Sequence, residues 1–427
     1  MRLAVFTNQF PSRVSTFFAR DMRGLLEAGF EIDIFPVAPL EAHLWPYVPD
    51  ILNERILPRD RVHHLSLLRA VFPRTPRPLR HGAAFLRETA RICASAAGYG
   101  VMPLAKSAYV MPKAWTWAQR HGGSPDHVLA YWGNYAGTCA YLFHRIVARR
   151  IPFSMYLHAG IDLYRDQVYL RQKLLYADRI ILVCDFNRQF LRQRYPDIFP
   201  ALADKVYVHR LPLNLAEFPY EPEGHPPRTL LGVGRLDRRK GFDVLLRAAK
   251  ELCARGLSVD VELVGDGEER QALTSLAAAL GIAEHVAFRG WLPFEQVRAA
   301  MRRATILVHP STGLGDAVPT VITEAMAVGT PVVASSIAGI PELLDGGRCG
   351  VLVPPRDVER LTDAVAALLA NEGLRWEFAA AGRRHVERHF DLRRNGRELA
   401  DVLRTAKRGG GRHGASDAVG RAQTSGA

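Results

Sequence analysis

The sequence, 427 residues long, holds only five cysteines, Cys93, Cys139, Cys184, Cys253 and Cys349, widely spaced and without a C-x-x-C pair. That excludes a disulfide framework and a paired-cysteine zinc site, and predicts a reducing cytosolic location. Nowhere do about eighteen uncharged apolar residues stand together, so no membrane-spanning helix is predicted. The N-terminus, MRLAVFTNQF, has too short an apolar run for a secretory signal and no small-residue cleavage site, and reads as a first strand. Acidic residues are also scarce, 43 against 56 basic ones, a formal charge of +13. The imbalance favours nucleic acid, an anionic membrane face or phosphorylated substrates as partners. No nucleic-acid-binding module is recognisable, which leaves the other two.

What is present is enough apolar material, 48% of residues, for two cores. Strand and helix patterns alternate as in a parallel α/β sheet: strand Leu3 to Thr7, helix Ser15 to Ala28 stopped by Gly29, and strand Glu31 to Val37. From about residue 40 to 124 the pattern blurs. The run PRTPRPLRHG leads into an apolar stretch, Ala83 to Trp117, whose uncharged part Ile92 to Ala105 has the length of a core or interfacial helix. Arg69, Arg74, Arg77, Arg80, Arg87 and Arg91 flank or punctuate it. This is the pattern of a surface that docks on anionic lipid, and equally of ordinary core with solvated arginines. Alternation then resumes. The expected division is a first domain over 1–210, a proline-rich linker over 211–228, and a second α/β domain over 229–391. A helix over 392–406 would cross back to the first domain, and a Gly/Ser/Arg tail over 407–427 has nothing to bury and reads as disordered.

Three stretches can carry chemistry. In GLGDAVPTVITEAMAVGTPVVAS, Gly313 to Ser335, the positions of Pro319, Gly329 and Pro331 predict a helix from about Pro319 to Val328. Thr320 and Glu324 share one face of it, and Asp316 precedes its N-terminus. Free amides and the positive dipole end suit a phosphate there, while the two carboxylates suit hydroxyl groups. In GVGRLDRRKGFDVLL, Gly232 to Leu246, a strand ends at Gly234 and a basic loop opens a helix. It lacks the Walker Gly-Lys-Ser/Thr order, yet Arg235 and Lys240 can meet a diphosphate as planar fork and point charge, or stand as solvated surface cations. Gly265, in LVGDGEERQAL, can shape a turn or approach the ligand. His158, in MYLHAGIDLYRD, follows a strand at the edge where such sheets place ligands, with Asp162 four residues on, and can equally be a structural hydrogen-bonder.

In order, the motifs G-R-L-x-x-x-K-G, V-G-D-G-x-E, D-x-V-P-T-x-x-x-E-A-M-A-x-G-T-P-V-V-A, A-G-I-P-E-L-L and G-x-L-V-P-P resemble the retaining glycosyltransferases of family four. Weaker agreement lies in FPSRVSTFFARD, YLHAGIDLY and VCDFNRQFL, and the detail is most similar to bacterial enzymes of exopolysaccharide, colanic acid and O-antigen assembly. The resemblance implies a GT-B architecture, two Rossmann-like parallel-sheet domains facing across a cleft. It implies transfer of a hexose, with retention and without a metal or cofactor, from a UDP- or GDP-sugar to a saccharide or lipid-linked acceptor. In this reading Arg235 and Lys240 clamp the diphosphate, Glu324 binds the ribose, Asp316 contacts the transferred sugar, and backbone groups at Gly234, Gly265, Ala317, Val318, Pro319 and Thr320 support the donor. His158 matches the first-domain histidine near the reacting centre. The implied setting is the cytoplasm, at the inner face of the plasma membrane. Alternatives are an epimerase of the same fold and a catalytically silent nucleotide-binding subunit.

Four departures stand out. Asp316 replaces the more usual Glu, Cys184 a common Ser, RLPLNL a glycine-valine-aspartate turn, and the loop Pro11 to Thr16 lacks paired glycines.

Overall fold

The computed structural model describes residues 1–12, 16–72, 82–147, 151–165, 167–222 and 228–406. The tail over 407–427, part of the Pro11 to Thr16 loop, part of the linker, and Arg74, Arg77 and Arg80 lie outside the described residues.

Among the described residues, twelve strands form two all-parallel sheets. The first holds β1 (Arg2–Thr7), β2 (Glu31–Pro36), β3 (His127–Ala130), β4 (Phe153–Leu157), β5 (Arg179–Leu182) and β6 (Val206–Val208), in the order β2-β1-β3-β4-β5-β6. The second holds β7 (Thr229–Val233), β8 (Asp260–Val264), β9 (Val286–Gly290), β10 (Ile306–His309), β11 (Val332–Ser335) and β12 (Val351–Val353), in the order β12-β11-β10-β7-β8-β9. The central strands are apolar on both sides because helices cover both faces. In β1, Ala4 and Phe6 enter one buried cluster while Leu3 and Val5 enter the other. β12 was not foreseen; it is an edge strand of three residues, too short to show a period.

Strand order reverses between β1 and β3 in the first sheet and between β7 and β10 in the second. At such a point the loops leaving the strands' carboxyl ends diverge and open a crevice. The two crevices face each other. The loops after β4 and β10 touch at Gly160 and Gly315, where a Cβ on Gly160 would stand 2.7 Å from the Gly315 Cα. Only two glycines allow that approach.

The chain returns to the first domain through the helix Leu392–Arg404, which packs on Thr16–Glu27. Leu399, Ala400 and Leu403 join the first-domain core, and a Cβ on Gly24 would stand 2.8 Å from the Gly396 Cα. The linker's Leu213 is held to the same crossing: its amide donates to Phe390 O at 2.6 Å and its carbonyl accepts from Leu392 N at 3.0 Å. That pairing is what RLPLNL does in place of a tight turn.

Among its described residues, the blurred region resolves into short 3-10 turns and three helices, Leu67–Val71, Gly82–Ala97 and Val101–His121, layered on the first sheet. The run Ile92 to Ala105 is not one helix. Gly100, at φ 106°, separates two helices there.

Candidate functional site

The site is built where the second sheet's strand order reverses. β7 runs into Gly234 and the basic loop, while β10 ends at His309 and runs into the loop carrying Asp316. Their adjacency brings together groups distant in sequence. Lys240 Nζ donates to Asp316 Oδ2 at 2.6 Å, and Ser311 Oγ donates to the same oxygen at 2.8 Å. His309 Nε2 lies 2.7 Å from it and must carry the proton, since an ionised carboxylate only accepts. Burial pushes the Asp316 carboxyl up, but the Lys240 ammonium and His309 outweigh it and hold it well below the usual carboxylate range. Burial keeps His309 below its ordinary value despite the neighbouring carboxylate, so it is neutral at physiological pH.

Arg235 lies at the cleft with its side chain 58% exposed, and its Nε and Nη2 donate to Asp237 Oδ2 at 2.9 and 2.7 Å. Arg239 Nη2 donates to the same oxygen at 2.7 Å. One carboxylate thus orients two guanidiniums beside Lys240. Gly265 sits behind this loop: its amide donates to Gly290 O at 2.8 Å, and a Cβ on it would stand 1.9 Å from the Gly234 carbonyl oxygen. Its place is close packing against the Gly234 peptide, at φ 132°.

The helix is Thr320–Val328, with Pro319 outside it as the N-cap at φ −71° and ψ 112°. Ala317 is buried and its carbonyl accepts from Gly339 N at 3.1 Å, while Val318 and Thr320 are partly exposed. The first-turn amides have no acceptor within the helix. One turn in, Glu324 is buried and faces the first domain. Its Oε1 lies 3.0 Å from Nη1 of Arg20, on the helix Thr16–Glu27, with Arg20 1% and Glu324 8% exposed at the side chain. The approach is off the N–H axis, so this is an ion pair without a hydrogen bond, and no guanidinium nitrogen of Arg20 has a hydrogen-bond acceptor among the described residues. Arg20 also stands over the Phe218 ring of the linker, 5.5 Å from its centroid.

His158 is buried beyond β4 among aromatic rings, 4.4 Å between centroids from both Trp132 and Tyr156. Its backbone amide donates to Asp162 Oδ2 at 3.0 Å, and Asn187 Nδ2 donates to its carbonyl at 2.8 Å. Neither ring nitrogen has a hydrogen-bond partner among the described residues. The loop carrying it meets the Asp316 loop at Gly160 and Gly315.

A cavity of about 490 Å³ opens in the first sheet's crevice, lined by Asn8, Gln9, Phe17, Glu41 and Trp132 and, from across the cleft, Arg235. Phe17 and Trp132 offer aromatic faces with amide and carboxylate groups around them, a composition suited to a saccharide.

Sequence reasoning missed His309, Ser311, Asp237, Arg20 and Glu342. The last joins the domains. Cys184 stands at the N-cap of the helix Asp185–Arg194 and makes no side-chain cap. Glu342, from the second domain, takes that place, accepting from Asp185 N at 2.8 Å and Phe186 N at 2.7 Å. Glu342→Ala strips both amides of their acceptor and should lower stability by about 1–2 kcal/mol, read as a lower melting temperature. Glu342→Gln, which keeps one acceptor oxygen, should lose less. An unchanged melting temperature in the alanine variant would remove the cap from the interdomain contacts.

Among the described residues, Asp345, Cys349 and His385 could gather round a metal ion, their ligand atoms all within 4.8 Å. Arg348 already donates to both Asp345 oxygens, at 2.6 and 2.7 Å.

Two facing, doubly wound parallel sheets, with a basic loop and a helix bearing one buried Glu at one crevice, define the GT-B glycosyltransferase fold. Sucrose-phosphate synthase of Thermosynechococcus elongatus superposes with a TM-score of 0.69 at 19% identity, over 95% of this chain and 98% of that one. Anabaena HepE, in complex with UDP and glucose, gives 0.68 at 18%, over 95% and 99%. Within that fold, residues 217–385 match the family described as Glycosyl transferases group 1. The amylovoran biosynthesis glycosyltransferase of Erwinia amylovora is 26% identical over 419 residues, 94% of this chain and 99% of its own. The putative colanic acid biosynthesis glycosyltransferase of Salmonella typhimurium is 30% identical over 210 residues, 47% of this chain and 52% of that protein. The phosphatidyl-myo-inositol mannosyltransferase of Mycobacterium leprae is 41% identical over 163 residues, 38% of this chain and 42% of that protein. The chain thus spans about half the length, or less, of the last two.

Proposed function

We propose that the chain transfers a hexose, with retention, from a UDP- or GDP-sugar to a hydroxyl of a saccharide or lipid-linked glycan during cell-surface polysaccharide synthesis. The observation that carries this reading is the convergence of Lys240, Arg235 and the Asp316 carboxylate where the second sheet's strand order reverses, beside the helix bearing Glu324. Lys240 and Arg235 meet the diphosphate and stabilise charge on the leaving group, so the reaction needs no metal. Glu324 accepts hydrogen bonds from the ribose hydroxyls, and Asp316, fixed by His309 and Ser311, accepts from a hydroxyl of the transferred sugar. His158 faces the reacting centre, and the cavity beside Trp132 receives the acceptor. The printed names of the relatives, in amylovoran and colanic acid synthesis, support the acceptor class, and a cytoplasmic site beside the plasma membrane suits it.

The test is a donor screen on purified protein reading released UDP and GDP, with EDTA present. One sugar nucleotide should be turned over, faster with saccharide or lipid-linked acceptor from a cell extract. Full conversion of donor without acceptor would make the protein an epimerase. Nucleotide raising the melting temperature while no donor is turned over would make it a silent subunit.

A further inference from the structure

The helices Leu67–Val71, Gly82–Ala97 and Val101–His121 carry a charge pattern that neither fold nor transfer explains. From residue 67 to 121 the sequence has nine Arg and Lys and a single acid, Glu88. Glu88 is buried, accepting from Tyr141 OH at 2.8 Å and Arg145 Nη2 at 3.0 Å. The exposed side of these helices therefore carries no acidic group among the described residues. A helix face that meets water usually mixes both signs of charge. Here the outward positions of Gly82–Ala97 are Ala83, Leu86, Arg87, Ala90, Ala94 and Ala97. Large apolar side chains stand out around them: Val101 is 85% exposed, Phe72 72%, Leu68 71% and Met102 64%. The other face of the same helices is core, with Ile92, Val110, Ala114 and Trp117 packed toward the sheet.

We propose that this acid-free, apolar-tipped helical layer docks the protein on an anionic lipid bilayer. Exposed leucine, valine, methionine and phenylalanine enter the interfacial zone, while Arg69, Arg87 and Lys106 pair with lipid phosphates. A second copy of the chain is disfavoured because two such faces repel. Nucleic acid would match the charge but gives Val101 and Met102 nothing to bury against. The layer also packs against the helix Tyr135–Val147 of the first domain. Lys106 Nζ lies 5.5 Å from the centroid of the Tyr135 ring, three residues beyond the Trp132 that lines the cavity. The docking stands on this surface alone. Its readout is binding, so a failure of the transfer reading leaves it intact and the converse also holds.

The experiment is flotation of the full chain with phosphatidylcholine vesicles, with and without phosphatidylglycerol, at low and high salt. Binding should require the anionic lipid and weaken with salt. Val101→Asp/Met102→Asp and Arg69→Glu/Arg87→Glu should each bind roughly tenfold more weakly or worse, with unchanged circular dichroism and melting temperature. Trp376→Ala, an exposed aromatic of the second domain, should bind as the parent does. Equal binding by parent and both double variants, or no preference for anionic lipid, would overturn the proposal. So would sedimentation showing that the variants dissolve a dimer, or RNA competing the protein off the vesicles.

Discussion

Lys240→Ala should lower donor turnover by about 10²–10³-fold, the range seen when one preorganised electrostatic donor is removed from a developing anion. The ammonium is only 17% exposed and sits 2.6 Å from Asp316, so its position is fixed before the donor arrives. Removal strikes twice: the leaving diphosphate loses a point charge, and Asp316 keeps only His309 and Ser311. Lys240→Arg restores the charge without the geometry, because a planar fork cannot occupy the place of a compact ammonium, and should rescue little. Stability against pH gives an independent readout. A carboxyl held below its ordinary value contributes stability that is complete above that value, about 3.9, and is lost as pH falls toward the folded-state value. With Lys240 absent the depression is smaller. The melting temperature of Lys240→Ala should therefore fall less than the parent's as pH is lowered from about 6 to about 3. Unchanged turnover in the alanine variant would sink the assignment of the loop to the diphosphate.

These roles differ in how far the sequence alone could reveal them. Lys240, Arg235, Asp316 and Glu324 lie in short runs bounded by Gly and Pro, and such punctuation fixes which residues open a loop or start a helix. Strand and helix patterns in the same way set the first three elements to within a residue of Arg2–Thr7, Thr16–Glu27 and Glu31–Pro36. Pro319 shows the limit of that reasoning. It would suit a first helical residue, yet its ψ is extended and the helix begins one residue later. The helical layer over residues 67–121 was illegible for a different reason. Its helices are apolar toward the sheet and carry alanines and large apolar side chains among scattered basic residues on the outside, so the continuous polar face that reveals a helical period is missing. Pro112 inside one helix further disguises it. His309 and Ser311 could have been suspected, because a histidine closing the buried strand ILVH needs a polar partner nearby. Arg20 and Glu342 could not. Their partners lie in the opposite domain, and no local period encodes that meeting.

Arg20→Met should be the most destabilising single change at the domain interface, by about 3–5 kcal/mol, because it leaves the Glu324 carboxylate buried without its cation. The helix that carries Arg20 has little freedom to compensate. The adjacent Asp21 is fully buried, accepts from the Tyr131 hydroxyl, and lies 2.9 Å from His209 Nε2, which pins the helix to the sheet. The ion pair therefore transmits a choice. Glu324 faces an arginine of the first domain and, in the proposed function, the hydroxyls of a donor held by the second, so donor binding and domain closure share one carboxylate. Arg20→Met should raise the donor KM as well as lower the melting temperature, whereas Glu342→Ala, which touches no donor group, should lower stability alone. The double variant Arg20→Met/Glu324→Gln separates the two contributions. Removing both charges abolishes the unpaired-charge penalty, so stability should recover by at least about 1 kcal/mol relative to the sum of the single changes, while turnover stays low because the ribose has lost its carboxylate. Strict additivity in that cycle would show that Arg20 and Glu324 do not act as a pair, and domain closure would then rest on the Glu342 cap and the Gly160–Gly315 contact.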